Sequence, residues 1–252
     1  MEFSVIICCT DITNLQRLLQ SLYSQETKPK EIVVVMDRDV SNLHYPFVRF
    51  VQNKGVGLSA ARNTGLDVSN YDYVAFIDDD AYADKKWLSC LYSGFIRGAD
   101  IIGGQVIPLY EGDKRLPDNL NWLIGCTSQD TVRPIGCNFA IRYDPHVSFD
   151  EKLGKIGGKG GIGEETDLIE RARNRGSKIM YEPKAVVYHN VPLSRMSLQY
   201  LMRRAYNEGK SKAKIQSRDV EMSMLKTYLK TYDPLTYGVV LMVGLGFIRG
   251  KL

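Results

Sequence analysis

Short apolar segments alternate with amphipathic segments over residues 1–107, and this alternation constrains the fold more than any other feature. The apolar segments are FSVIICC (3–9), EIVVVM (31–36), VRFVQ (48–52), YVAFI (73–77) and DIIGGQVI (100–107). They are continuous and rich in β-branched residues, which is typical of strands buried on both faces. Helices are predicted over Leu15–Leu22, with Thr13 or Asn14 as N-cap, from about Leu58, and over Lys85–Arg97. We therefore expect an α/β fold with a mostly parallel sheet flanked by helices.

Polar residues follow the predicted strands at the points where the strands end. They are Thr10, Asp37, Asn53 and the acidic run Asp78–Asp80. The carboxyl ends of parallel strands meet at one edge of a sheet, and ligands bind in the crevice beyond that edge. These side chains are therefore expected to face a single crevice.

The acidic run Asp78-Asp79-Asp80 directly follows an apolar strand. Three neighbouring carboxylates repel one another, so they need either bulk water or a cation. One interpretation is a solvated turn in which one aspartate caps the next helix. The other is a site for Mg²⁺ or Mn²⁺, which prefer oxygen ligands and are commonly held by one or two carboxylates together with substrate phosphates. The pair Asp78-x-Asp80 places two carboxylates on the same side of an extended turn, which is enough for such a site.

A glycine-containing turn, NKGVGLSAARNTGL (53–66), leads into the second helix. Its Gly55-x-Gly57-x-x-Ala60 spacing matches the dinucleotide fingerprint, which favours an NAD-linked oxidoreductase as an alternative function. That fingerprint usually follows the first strand, where this chain has CCTDITN without glycine. Two further interpretations remain open: a flexible turn, or a phosphate-bearing ligand held by Arg62, Asn63 and the helix start.

A second acidic motif, GEETD (163–167), begins a helix predicted over residues 163–176. Acidic residues in a first turn stabilise a helix through its dipole. Alternatively, one of the carboxylates acts as a general base that removes a proton from an acceptor hydroxyl. The glycine-rich run at 155–163 is either a mobile lid or a linker.

The second half of the chain has weaker periodicity. Strands are predicted for NFAIR (138–142), KIMYEP (178–183) and AVVYH (185–189), a long loop for 108–134, and helices for 194–217 and 220–232. The uncharged segment Leu235–Ile248, followed by Arg249 and Lys251, is shorter than the ~20 residues of a standard membrane span. It predicts a buried terminal helix, an interfacial anchor or the start of a span.

The net charge and the cysteines indicate which binding partners and which cellular compartment to expect. The net charge of +4 is too small to predict a nucleic-acid partner, although basic residues cluster between Arg195 and Lys230. The five cysteines include no CxxC pair, and no secretory signal precedes the first strand. We therefore expect a cytoplasmic protein.

Taken in order, VIICCTD, VVVMD, NKGVGLSAARNTGL, FIDDDA, IGCNFAIR and GEETDL resemble the motifs of inverting family 2 glycosyltransferases with the GT-A fold. The resemblance covers roughly residues 1–210. It implies a Rossmann-like GT-A domain over 1–193, with a nucleotide-sugar half (1–107) and an acceptor half (108–193), and a basic helical tail over 194–252. It also implies a Mn²⁺ or Mg²⁺ cofactor and transfer from a nucleotide-sugar, most often a UDP-sugar, with inversion and without a covalent intermediate.

The resemblance also implies roles for single residues. On the donor side, Thr10 and Asp37 are expected to contact the nucleobase and ribose, and Asn53, Arg62 and Asp79 are expected to lie within the donor site. Asp78 is expected to contact the ribose or the metal, and Asp80 the metal and the diphosphate. His189 occupies the place of a metal or phosphate ligand. The family's Glu-Asp pair is Glu164-Glu165 here, which makes Glu165 the expected catalytic base. Asn138 is expected on the acceptor side.

The tail RRAYNEGKSKAK (203–214) resembles the helical tails of family members that act at membranes on polyprenyl-linked or cell-surface glycans. Arg203 and Arg204 are expected to meet a lipid phosphate or the leaving diphosphate, unless they belong to a solvated helix face. We accordingly predict glycosyl transfer in glycan, glycolipid or glycoprotein assembly, with peripheral contact at the cytoplasmic face of a membrane. The alternatives are the oxidoreductase and a non-catalytic nucleotide- or glycan-binding protein.

Overall fold

An eight-stranded mixed sheet lies at the centre of the part of the chain that the structure describes. The computed structural model describes residues 2–128, 133–156, 159–160, 162–215 and 233–252. The strands are β1 (Phe3–Cys9), β2 (Glu31–Met36), β3 (Val48–Gln52), β4 (Tyr73–Asp78), β5 (Ala81–Ala83), β6 (Ile101–Tyr110), β7 (Phe139–Arg142), β8 (Lys155–Ile156), β9 (Lys159–Gly160) and β10 (Ile179–Val191). Strands β8 and β9 form a separate two-stranded ribbon.

The strand order of the main sheet is β3-β2-β1-β4-β7-β6-β10-β5. Strands β1 to β4 pair in parallel, as do β6 and β10. Strand β7 runs antiparallel between β4 and β6, and β5 runs antiparallel to β10. The prediction of a mostly parallel α/β sheet is confirmed.

Helices cover both faces of this sheet. They are α1 (Ile12–Tyr23), α2 (Leu58–Val68), α3 (Trp87–Ile96), α4 (Glu164–Asn174), α5 (Leu198–Ile215) and α6 (Pro234–Lys251), with 3₁₀ turns at Asp118–Ile124 and Leu193–Met196. Successive strand residues point to opposite faces. Thus Val5 and Ile7 pack in one core with α1 and α3, whereas Ile6 packs in the other with α2 and α4. Burial on both faces explains why the strands are continuously apolar.

The N-cap of α1 differs from the prediction. Asp11 caps the helix, and its Oδ1 accepts a hydrogen bond from the backbone N–H of Thr13 at 2.9 Å. The helix therefore begins at Ile12, before both of the predicted caps, Thr13 and Asn14. Aspartate is among the strongest N-cap residues, and its carboxylate satisfies an N–H group that would otherwise have no partner.

The two strands predicted around Pro183 form one strand, β10. Its pairing with β6 shifts register between Glu182 and Val186, which accommodates the proline, a residue that lacks an N–H donor. Near the far end of β10, His189 pairs with Ala81 of β5. The short strand β5, which the sequence pattern did not indicate, thereby places His189 beside the end of the acidic run.

The C-terminal helices α5 and α6 pack at backbone contact. A Cβ atom on Gly209 would lie 2.0 Å from the carbonyl oxygen of Val243, and one on Gly246 would lie 2.0 Å from that of Tyr206. Helix α6 contains the apolar segment Leu235–Ile248, and in the described ranges no helix combines the length and hydropathy of a bilayer span. The predicted helix at 220–232 lies outside the described residues.

Candidate active site

A crevice of about 420 Å³ opens at the carboxyl ends of β1, β2 and β4. We call it the strand-end crevice. Its lining includes Thr10, Asp37 and all three residues of the acidic run, Asp78–Asp80. The predicted strand-end residues are therefore brought together, because parallel strands end at one edge of the sheet.

Asn53 forms hydrogen bonds with two residues that line the strand-end crevice. Its Nδ2 donates hydrogen bonds to Asp37 Oδ1 at 2.5 Å and to the carbonyl oxygen of Gly57 at 3.2 Å. Gly57 is the N-cap of α2 and has φ +89°, a left-handed conformation that favours glycine. As a glycine, Gly57 has no side chain with which to cap the first N–H groups of α2.

Asp79 differs in role from its two neighbours. One of its carboxylate oxygens accepts hydrogen bonds from the backbone N–H groups of Thr10 at 2.7 Å and Asp11 at 3.0 Å, and lies 3.2 Å from the Thr10 hydroxyl. Asp79 thus ties the turn between β1 and α1 to the end of β4. Its predicted contact with the donor stays a prediction.

Asp78, Asp80 and His189 form a cluster whose ligand atoms all lie within 4.8 Å of one another. His189 is 3% exposed, and its Nε2 lies 3.1 Å from Asp80 Oδ1. Two carboxylates and one imidazole are a donor set suited to Mn²⁺, and the carboxylates also suit Mg²⁺. The residues present therefore fit the divalent cation that the family resemblance implies.

Arg195, which the sequence indicated only as the start of a basic region, contacts this cluster. Its Nη2 donates to Asp80 Oδ2 at 2.8 Å, and its Nη1 lies 3.3 Å from His189 Nε2. Burial raises the pKa of Asp80, but His189 and Arg195 outweigh burial and hold that pKa well below its usual range. Burial likewise opposes a charge on His189, yet its hydrogen bonds with Asp80 and Cys126 raise the imidazole pKa to about 10.

Arg62 and Glu164 form a buried ion pair between α2 and α4. Arg62 is 2% exposed; its Nη1 donates to Glu164 Oε1 at 2.6 Å and its Nη2 to the carbonyl oxygen of Gly136 at 3.1 Å. Its Nη2 also lies 3.7 Å from Asp78 Oδ1. Arg62 therefore holds the acidic ends of β4 and α4 together, and its predicted donor contact stays a prediction.

A second cavity, of about 90 Å³, adjoins the strand-end crevice. We call it the adjoining cavity. Its lining includes Glu164, Glu165 and Arg204. Both cavities are lined by Asp78 and Arg195, so the two spaces meet beside the Asp78–Asp80–His189 cluster. A ligand that fills both would pass this cluster and reach Glu165.

Glu165 has the electrostatic environment of a general base. Burial and the neighbouring charge of Glu164 raise the pKa of its carboxyl group to about 7, against the opposing effect of Arg62 and Arg133. A base with a pKa near the working pH is ionised often enough to accept a proton and basic enough to hold it. Position in the adjoining cavity and a raised pKa together make Glu165 the strongest candidate for this role.

The side chain of Asn138, which was expected on the acceptor side, lies in the interior of the protein, and its acceptor contact stays a prediction. Asn138 is 0% exposed. Its Nδ2 donates to the carbonyl oxygens of Gln105 and Ala185, both at 2.8 Å, and its Oδ1 accepts from Trp87 Nε1 at 2.8 Å. These side-chain hydrogen bonds join Asn138 to β6, β10 and α3.

The two arginines predicted to meet phosphate lie on different faces of α5. Arg204 lines the adjoining cavity, whereas Arg203 is exposed and its guanidinium lies 5.9 Å from the centre of the Tyr200 ring. Consecutive helical residues point about 100° apart, so only one of the pair can face the cavity. Arg203 therefore lies outside both cavities.

Comparison with known proteins gives the family. The model of glycosyl transferase family 2 matches residues 4–150. The chain is 24% identical to the glucosyl-dolichyl phosphate glucuronosyltransferase of Haloferax volcanii over 92% of this chain and 84% of that protein. It is 29% identical to the succinoglycan biosynthesis protein ExoM of Rhizobium meliloti over 68% of this chain and 57% of that protein.

A solved structure shows the same fold. S. aureus TarS 1–349 in complex with UDP-GlcNAc aligns with a TM-score of 0.56 and 19% identity, covering 100% of this chain and 82% of that chain. The expected GT-A fold is confirmed, and neither alternative function is favoured. The chain belongs to glycosyl transferase family 2 and is a glycosyltransferase.

Proposed function

We propose that this enzyme transfers a sugar from a nucleotide-diphosphate sugar, with UDP as the favoured nucleotide, to an acceptor hydroxyl with inversion. The observation that carries the proposal is the cluster of Asp78, Asp80 and His189 at the junction of the two cavities. These residues would hold Mn²⁺ or Mg²⁺, which when bound neutralises charge on a leaving diphosphate. The UDP-GlcNAc bound by the similarly folded TarS supports the choice of donor class.

The strand-end crevice would bind the nucleotide. Thr10 and Asp37 line this crevice and not the adjoining cavity, and they would contact the ribose and base. Asn53 holds Asp37 in place through its side-chain amide. The uncapped start of α2 presents N–H groups suited to a phosphate oxygen.

Glu165 would act as the base in a single displacement. It takes the proton of the acceptor hydroxyl as that oxygen forms a bond to the anomeric carbon, while the bond from that carbon to the nucleotide diphosphate breaks on the opposite face. Glu164 is held by Arg62, which disfavours it as a nucleophile. One displacement without a covalent intermediate gives inversion.

The rate of transfer is expected to fall as the pH is lowered through about 7. Glu165 must be ionised to accept a proton, and its raised pKa means that the carboxylate forms only as pH rises through about 7. The charged groups that face it are Glu164, Arg62 and Arg133. We predict that kcat/KM for nucleotide release drops about tenfold per pH unit below this value and levels off above it. A profile that is flat between pH 5.5 and 8 would contradict this assignment.

We propose the division into a catalytic unit (1–193) and a basic tail (194–252), with one qualification from the contacts. Arg195 and Arg204 of the tail line the adjoining cavity, so α5 and the turn before it contribute to the active site.

The apolar face of α6 would lie against the cytoplasmic face of a membrane. Leu241, Leu245 and Ile248 are 63%, 47% and 61% exposed. Such a location suits a polyprenyl-linked or glycan acceptor.

Replacing Leu241, Leu245 and Ile248 together by serine should weaken binding to vesicles of phosphatidylglycerol and phosphatidylcholine by at least about tenfold, because each buried leucine contributes about 1.5–3 kcal/mol. Sedimentation with the vesicles measures the bound fraction. The matched control is serine at Val56 and Ile96, which are 66% and 71% exposed elsewhere on the surface. Equal binding of both variants and the native chain would rule out attachment through α6.

A further inference from the structure

Arg204 carries a buried hydrogen-bond donor without a partner. Its side chain is 20% exposed, and its Nη1 makes no hydrogen bond to any part of the chain that the structure describes. Its Nη2 lies 3.7 Å from Glu208 Oε2, beyond hydrogen-bonding distance. Because Arg204 lines the adjoining cavity, this guanidinium is placed to donate to a ligand there.

The charges around Arg204 favour an anion. Glu208 is 6% exposed and lies between Arg204 and Arg133, whose Nη2 is 3.8 Å from Glu208 Oε1. Burial opposes ionisation of Glu208, but Arg204, Lys212 and Arg133 together lower its pKa. One carboxylate is thus shared by at least two guanidinium groups, so Glu208 alone does not neutralise both of them.

The positive charge of Arg204 lies apart from the proposed diphosphate site. Arg204 lines the adjoining cavity with Glu165 and is absent from the lining of the strand-end crevice. Asp78 and Arg195 line both spaces, whereas Asp80 lines only the strand-end crevice and His189 only the adjoining cavity. An anion at Arg204 would therefore lie on the acceptor side of the reacting hydroxyl.

We propose that the acceptor carries a phosphate group and that Arg204, with Arg133, binds this phosphate. The inference rests on the proposed function, since it takes the adjoining cavity as the acceptor site. Guanidinium groups match phosphate oxygens in geometry and charge, and a phosphate would satisfy the unpaired Nη1. The same chemistry could be supplied by the diphosphate of the donor, so the test separates the two sources.

The test is isothermal titration of hexyl phosphate into the full chain saturated with UDP and Mg²⁺, with hexanol as the uncharged probe. Hexyl phosphate is expected to bind and hexanol is not. Arg204→Met should weaken hexyl phosphate binding at least tenfold and leave UDP affinity unchanged, whereas Arg204→Lys should keep part of it. Arg203→Met, which changes the exposed neighbour on α5, is the matched control and should bind as the native chain does.

Several results would overturn the proposal. Absence of hexyl phosphate binding to the UDP-saturated protein, or equal binding by the native chain and Arg204→Met, would do so. Competition between hexyl phosphate and UDP would assign Arg204 to the donor diphosphate instead. If Arg204→Met does not fold, judged by its melting temperature, Arg133→Met must show the same loss. Failure of UDP itself to bind would count against the proposed function, and the native chain and Arg204→Met would then be compared without UDP.

Discussion

Replacing Glu165 by glutamine should lower the rate of sugar transfer by about a thousandfold while leaving nucleotide affinity unchanged, because general base catalysis contributes about 10² to 10⁴. Glutamine keeps the size of the side chain and cannot accept the proton of the acceptor hydroxyl. Glu165 lies in the adjoining cavity, apart from the strand-end crevice in which the nucleotide would bind. Nucleotide release in the presence of acceptor measures the rate, and titration with UDP measures the affinity.

The neighbouring Glu164→Gln variant is the control for this experiment, since the two glutamates differ in their contacts. Glu164 is paired with Arg62, and both side chains are nearly fully buried. Breaking a buried ion pair typically costs about 3–5 kcal/mol, so Glu164→Gln should lower the melting temperature clearly. Glu165→Gln should not. If Glu165→Gln transfers sugar at the native rate, the base is another residue.

Asp80→Ala is expected to abolish the part of nucleotide binding that depends on a divalent cation. Asp80 contacts both His189 and Arg195, and it is one of the two carboxylates of the cluster. Loss of a residue that merely orients a ligand already costs about 10 to 100-fold in metal affinity, so loss of a ligand should cost at least about 100-fold. Titration of UDP with and without Mn²⁺ measures the effect.

A conservative control separates the charge of Asp80 from its packing. Asp80→Asn keeps the shape of the side chain and one carbonyl oxygen, so it should retain the native fold and show an intermediate loss of metal-dependent affinity. Its melting temperature should be lower than that of the native chain, because the ion pairs with His189 and Arg195 lose the charge of the carboxylate. Native affinity for UDP and Mn²⁺ in Asp80→Ala would show that the acidic run does not hold the cation. Both variants keep the hydrogen bonds that Asp79 accepts from the backbone N–H groups of Thr10 and Asp11.

The positions at the strand ends could be predicted from the sequence because they depend on local pattern and on one rule of topology. Apolar strands alternating with helices imply a parallel sheet, and a parallel sheet brings its carboxyl ends to one edge. Thr10, Asp37 and Asp78 needed no knowledge of loop conformation to be placed there together. The same argument explains why the fold class was predictable.

The sequence could not predict the orientation of side chains that depend on distant parts of the chain. Asn138 directly precedes β7, but its amide is oriented by the carbonyl groups of Gln105 and Ala185, which are 33 and 47 residues away. Arg203 and Arg204 are consecutive, and only the docking of α5 decides which one faces the cavity. Arg195 has no local motif at all. Its position six residues after His189, at the start of the basic region, was the one available signal.

The most direct test of the central claim is the melting temperature of the native chain with UDP, GDP or NAD, each with and without Mn²⁺. The claim is that Asp78, Asp80 and His189 bind a cation that in turn binds a nucleotide diphosphate. A ligand at about 100 times its Kd stabilises the folded state by about 2.7 kcal/mol, which corresponds to roughly 5 to 10 °C for a chain of this size. We predict a shift of this order for UDP only when Mn²⁺ is present, and none for NAD. Stabilisation by NAD alone, or no response to any nucleoside diphosphate with Mn²⁺, would contradict the account.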